Sequence, residues 1–226
     1  MSAARPHAAP AQRGLSLVET LVGMAIALLI VAGVSKLFVA HLGDSRRLLL
    51  EARLHQDLRA ASDLVARDLR RAGYWQSAWR ATRWPAAANP YRAVAPAGGA
   101  ATALATYAYS RDATENDSLD ANESFGLRLN AGALQLLEGS AGWQQLTDAG
   151  TVLITGLAIT PRTRSVDLGH LCTPACTSAD AACPRLQLRS YDIVIRGRST
   201  ADASVTREVR ESVRVRNDEL PTTGCP

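Results

Sequence analysis

Arg13-Gly14-Leu15-Ser16-Leu17-Val18-Glu19-Thr20-Leu21-Val22-Gly23-Met24-Ala25-Ile26-Ala27-Leu28-Leu29-Ile30-Val31-Ala32-Gly33-Val34 decides the reading of this chain. From Leu15 to Ser35 there are 21 residues and one charged side chain, Glu19. An apolar run of that length is enough for a helix to cross a bilayer. A carboxylate at a bilayer centre costs about 2.5–3.5 kcal/mol on insertion scales, so one inside such a run is expected to have a task and a partner. A secretory signal peptide has a shorter apolar core with a small-x-small cleavage site behind it. Here the run is longer, holds Glu19, and has no convincing cleavage site behind it. A plain signal anchor accounts for the length and the basic leader but leaves Glu19 unexplained.

Working outward, residues 1–14 are rich in Ala and Pro, carry Arg5, His7 and Arg13, and show no periodicity, so no fold is expected there. Positive charge before a first span keeps that side cytoplasmic and puts the bulk of the chain outside. Downstream, Asp44-Ser45-Arg46-Arg47 marks the exit to water. Leu50, Leu54, Leu58, Ala61, Val65, Leu69 and Ala72 then recur at spacings of three and four, the stripe of an amphipathic helix. Arg59/Asp63 and Asp63/Arg67, four apart, are expected to add weak ion pairs. Arg70 and Arg71 suit a helix end and Gly73 a C-cap. One helix is therefore expected from about Leu15 to Ala72, on the order of 85 Å at 1.5 Å per residue, with Gly43 as a candidate break or bend. Its first half is apolar all round; its second is expected to pack on its own domain.

Gly14-Leu15-Ser16-Leu17-Val18-Glu19 resembles the processing site of type IV prepilins and type II secretion pseudopilins. That pattern is a glycine, a hydrophobic first mature residue and a glutamate at mature position five; Leu15 stands where phenylalanine is more usual. The resemblance implies that a prepilin peptidase cuts after Gly14 and methylates the new amine of Leu15. It also implies that Glu19 attracts the N-terminus of a neighbouring subunit. A pair within one subunit is the alternative, since the amine lies within about one helical turn of Glu19. Asp63 to Tyr74 is similar to the helix end of PilW-type minor pilins, and more loosely to that of J-type minor pseudopilins. The implied architecture is α+β and pilin-like: a long N-terminal helix, membrane-spanning in its first half, on a β-rich antiparallel C-terminal domain. The implied organisation is a leader at 1–14, a transmembrane and assembly segment at 15–43, an amphipathic segment at 44–73 and a periplasmic domain at 74–226. The implied partners are prepilin peptidase, other minor and major pilins, and the inner membrane, with a final place in a surface filament.

The remainder of the 226 residues reads as strands. Residues 75–103 look irregular, with Trp75, Trp79, Trp84 and several prolines; the tryptophans are expected to cover a core rather than form a binding platform. Leu104–Tyr109 is a strand candidate, 124–137 a hairpin turning at Asn130-Ala131-Gly132, and Trp143–Leu146 another strand. Thr151–Ile159 comes next, with Gly156 marking a bulge or strand change. Leu186–Arg196 and Val205–Arg216 should pair antiparallel with one wet face. Leu127-Arg128-Leu129-Asn130-Ala131-Gly132, the later Trp143-Gln144-Gln145-Leu146 and the β-rich run after them resemble the C-terminal domains of the same minor pilins. The acidic stretch Asp112, Glu115, Asp117, Asp120 and Glu123 matches no calcium-loop spacing and is read as a solvated loop.

Cys172, Cys176, Cys183 and Cys225, with His170, invite a zinc reading, but the spacing is not a standard zinc pattern. Outside the cytoplasm an even count favours two disulfides, of unspecified connectivity. Formal charge is +4, falling to +2 without Arg5 and Arg13, too mild to argue for nucleic acid. No nucleophile, metal-protease or phosphate-loop motif is present, so neither an enzyme nor a cofactor is expected. The reading is a minor pilin that helps to initiate and assemble a type IV pilus. The alternatives are a minor pseudopilin of type II secretion, or a membrane-anchored periplasmic binding module using the tryptophans or the acidic loop.

Overall fold

The structure, a computed structural model, describes residue 14 and residues 16–82, 87–176 and 183–220. Leu15, Trp84 and Cys225 and the leader residues 1–13 lie outside the described residues. The chain divides into two units, Met1–Leu48 and Leu49–Pro226.

The described part of the first unit is helical. Helix α1 spans Leu17–Leu69 and runs through Gly43 without a break, so the expected break there is not present. Between Leu17 and Leu48 no side chain is buried, and large apolar groups stand on every side: Leu17, Val18, Leu21, Met24, Ile26 and Leu28 within three turns. A helix that is apolar all round suits lipid rather than water. By length and composition this one can cross a membrane.

In the second unit the same helix turns amphipathic. Leu54, Leu58, Ala61, Val65 and Leu69 are buried, with Ala72 just beyond, and Leu50 packs partly against them. The expected stripe is thus the core face of the helix. The pairs Arg59/Asp63 and Asp63/Arg67 do not close into ion pairs. Instead Glu51 binds Arg207 and Arg70 lies 3.7 Å from Glu211, both reaching across to a strand. The helix ends as its charges and glycine imply. The N–H groups of Arg71 and Ala72 turn to the carbonyls of Asp68 and Leu69, tightening the last turn. Gly73 takes φ +72, and its N–H is then free to donate to Ala108 O at 2.7 Å.

Eight strands form two antiparallel sheets among the described residues. The first sheet is a meander of β1 (Val94–Ala95), β2 (Leu104–Ala108), β3 (Ser124–Asn130), β4 (Ala133–Glu138) and β5 (Trp143–Gln145), in that order. β3 and β4 join through Ala131 and Gly132, both at positive φ, the twist that a two-residue hairpin needs. A side chain at Gly132 would run into Leu153, and its carbonyl accepts the Ile154 N–H at 2.8 Å. The hairpin tip is therefore locked to the second sheet.

The second sheet is β6 (Val152–Asp167), β7 (Arg185–Ser199) and β8 (Thr206–Arg214). The register of β6 on β7 shifts between Ile154 and Gly156, as the glycine implied. This moves the buried positions from Val152 and Ile154 to Leu157 and Ile159. β6 is longer than expected and continues through Pro161. It is an edge strand, where a residue without an N–H removes no ladder bond. The last two strands pair as expected, and Val213 and Val215 are buried. The core joins α1 to both sheets, with Leu58, Leu127, Leu134, Ile159, Ile193 and Ile195 fully enclosed.

The described residues between 75 and 103 are more ordered than the sequence implied, holding a short helix at Ala78–Thr82 and strand β1. Trp75 and Tyr91 form a small second core with Ala108, whereas Trp79 is exposed. The acidic stretch is also more than a solvated loop. Asp117 accepts the Trp75 indole N–H at 2.8 Å and pairs with Arg80. Glu115 accepts the Tyr91 hydroxyl at 2.9 Å. Glu123 is fully buried and accepts the backbone N–H groups of Arg111 and Asp120, each at 2.9 Å. Asp117 and Glu115 thus tie Trp75, Arg80 and Tyr91 to the acidic loop, and Glu123 holds that loop's own backbone, because a buried acceptor is stable only when donors meet it.

Candidate functional site

The head of α1 is built by local chemistry. Ser16 stands one residue before the helix. Its carbonyl accepts the first helical bond, from the Thr20 N–H at 3.2 Å, and its hydroxyl accepts the Glu19 N–H at 3.2 Å. That is an N-cap with a glutamate three residues on, the spacing Ser-x-x-Glu. The signal is present in the sequence, although the prepilin-like pattern of Gly14 and Glu19 makes no use of it. Its consequence is positional: the cap fixes where regular helix begins, so Gly14 lies outside it. Gly14 is exposed, with open space around its α-carbon.

Glu19 lies in the first turn of α1, exposed, and no cation pairs with it among the described residues. Its neighbours Leu17, Val18, Leu21 and Val22 are exposed apolar groups. A carboxylate in that setting is a strong acceptor with an unmet demand, and the helix N-terminus favours its negative charge. Of the expected processing and assembly residues, the structure therefore places Gly14 and Glu19 at the helix head, while Leu15 lies outside the described residues.

The described cysteines, Cys172, Cys176 and Cys183, are oxidised. Cys176 and Cys183 form a disulfide, and Cys172, with its sulfur 3.7 Å from that of Cys176, is disulfide-bonded as well. No free cysteine remains among the described residues. Disulfide sulfur has no thiolate to offer a metal. Among the described residues no group of three or more His, Cys, Asp or Glu side chains is disposed to hold a metal ion.

Near the other end of α1, Asp68 receives the hydroxyls of Tyr107 and, at 2.9 Å, Tyr109. Burial, and then the Asp68 charge, push both phenols above their ordinary range. They stay neutral donors that tie helix to sheet. Burial and the hydrogen bond to Glu115 do the same for Tyr91. A cleft of about 470 Å³ opens beside Trp75, Asn89, Arg92 and Arg189. Arg189, nine-tenths buried, is already engaged: it donates to Arg92 O at 2.8 Å and pairs with Glu219 at 3.3 Å.

Two comparisons bear on this arrangement. A model of the prokaryotic N-terminal methylation motif matches residues 10–35, the segment that holds Gly14, Ser16 and Glu19. A model of the family described as prepilin peptidase-dependent protein B matches residues 47–215, which takes in the amphipathic part of α1 and all eight strands. No curated protein and no solved structure matches the chain. With the motif at its head and the family model over most of the remaining residues, the chain is a type IV pilin-like protein and belongs to the prepilin peptidase-dependent protein B family.

Proposed function

We propose that the chain is a minor pilin of the PilW type, a non-enzymatic subunit that takes part in initiating and assembling a type IV pilus. In this reading it sits first in the inner membrane, with residues 74–226 in the periplasm. Prepilin peptidase removes residues 1–14 and methylates the new amine of Leu15. The observation that carries the reading is Glu19: an exposed carboxylate, unpaired among the described residues, in an apolar helix, inside a segment that matches the methylation motif. Opposite charges attract strongly where water is scarce, so a methylated amine and Glu19 reduce each other's cost of burial. Offered between subunits, that attraction sets the register of an incoming helix. Minor subunits joined through their apolar helices would lower the barrier to starting a filament.

The first test is the mature N-terminus. Mass spectrometry of the membrane-extracted protein should give a methylated Leu15 as residue one; an intact leader, or a start near residue 35, defeats the reading. The second test is filament number. Deleting the gene should reduce the number of surface filaments far more than their length. Sheared filaments should hold this protein well below parity with the most abundant pilin; parity would make it the structural repeat instead.

A further inference from the structure

A groove of about 240 Å³ runs between the end of α1 and the first sheet. Its floor is aromatic. Tyr109 and Phe125 stack face to face, with ring centres 3.9 Å and planes 4° apart. Each ring also has an arginine near it: Arg71 lies 4.4 Å from the centre of Tyr109, and Arg111 lies 5.7 Å from that of Phe125. A guanidinium near a ring face is drawn there by the ring's quadrupole. Arg67, one turn before Arg71 on the helix, is exposed on the same groove. Among the described residues neither Arg67 nor Arg111 forms an ion pair.

The acids of the groove do not cancel these charges. Arg71 lies 4.0 Å from Asp68, but both oxygens of that carboxylate accept tyrosine hydroxyls and hold the helix to the sheet. Glu138 stands at the rim, exposed and outside any ion pair among the described residues. Three guanidiniums against two carboxylates leave the groove net positive, with Leu64, 40% exposed, as an apolar step on the helical wall. An ordinary solvated arginine face would spread its side chains in water. Here two of the three are held near rings by cation–π contacts, which lowers what a partner must lose in freedom on binding.

We propose that this groove is a docking surface for an extended acidic segment of a partner protein. Carboxylates two residues apart, on the face turned to the groove, would pair with Arg67, Arg71 and Arg111, and the backbone between them would pass over Leu64. The match is one of charge and shape. Guanidinium forks bind carboxylates through paired N–H···O bonds. An extended chain also presents alternate side chains on one face. Glu138 disfavours a bare anion and accepts a backbone N–H of the incoming segment. The proposal goes beyond the pilin reading and does not depend on which filament the chain enters.

The test uses the full chain in a non-ionic detergent at low salt, where exposed charge pairs are least screened. The probe is the blocked peptide acetyl-Glu-Leu-Glu-Leu-Glu-amide, compared with its Gln-Leu-Gln-Leu-Gln counterpart by calorimetric titration. The acidic peptide should bind about tenfold more tightly or better, the gain of several weak exposed ion pairs acting together. Arg67→Gln should weaken it by about threefold or more, as befits loss of one such pair. It should leave the melting temperature unchanged, because Arg67 holds nothing in the fold. Arg111→Gln should weaken binding further, whereas Arg198→Gln on the second sheet should not. Equal binding of the two peptides overturns the proposal. So does an equal loss with Arg198→Gln, or inorganic phosphate competing as well as the peptide, which would mark a simple anion site. If Arg111→Gln melts early, the Arg67→Gln result alone decides.

Discussion

Leu58 is fully enclosed where α1 meets β7, and the contact beneath it is Gly197. A β-carbon added at Gly197 would stand 3.0 Å from Leu58 Cδ2 and 3.5 Å from Val152 Cγ1. These distances define a double-mutant cycle. Leu58→Ala removes three buried carbons, about 2.4 kcal/mol at ~0.8 per methylene, and the cavity adds to that, so a loss of about 3 kcal/mol or more is expected. Gly197→Ala alone forces a close contact costing about 1–3 kcal/mol, offset by about 0.5–1 kcal/mol from replacing a strand glycine. In the double variant the new methyl enters space that Leu58 has left. The combined loss should fall short of the sum by about 1 kcal/mol or more. All four tryptophans lie beyond residue 74, so fluorescence during urea unfolding in detergent tracks the domain rather than the membrane segment. Additivity within about 0.5 kcal/mol would show that helix and strand do not meet at this pair, and the packing argument would fail.

Three further outcomes are expected. Glu19→Ala should still enter the membrane, since it removes a cost of insertion, but should co-purify less with other pilins; wild-type recovery would count against the assembly role of Glu19. Thiol titration of the oxidised protein should find no free group, and non-reducing peptide mapping should show Cys176 joined to Cys183, with Cys172 in a second bridge. Opening the first bridge by Cys176→Ser with Cys183→Ser should cost about 2–4 kcal/mol, and four titratable thiols or bound zinc would refute the arrangement. At Glu115 burial opposes ionisation, but hydrogen bonds from Ser110, Tyr91 and the N–H groups of Asp117 and Gln76 outweigh it and hold the carboxyl below its ordinary range. Its contribution is therefore complete above about pH 4.3, the ordinary glutamate value, and is lost as pH falls through the lowered folded value. The melting temperature of Glu115→Gln should accordingly fall less steeply on acidification than that of the parent. An identical acid limb would remove Glu115 from the account.

The sequence by itself determined what depends on near neighbours along the chain. The all-apolar run, Gly14 with Glu19, the stripe from Leu54 to Ala72 and the hairpin around Gly132 are all local patterns. A helix repeats every 3.6 residues and a strand every two, so burial writes itself into spacing. The Ser16 cap was equally legible, in the three residues that separate it from Glu19. Tertiary structure alone decided the connections between remote segments. Asp68 meets tyrosines 39 and 41 residues away, and Trp75 meets Asp117 at a separation of 42. Asp117 and Glu115 looked solvated because the aromatic donors that meet them, Trp75 and Tyr91, lie far away in sequence. The expected strand stopped at Ile159, and the position of β6 at a sheet edge lets it continue through Pro161 to Asp167. The arginine-lined groove depends on α1, β2, β3 and β4 converging, and the disulfide choice depends on the fold bringing one cysteine beside another. Such pairings depend on the path of the intervening loops, which a local period does not encode.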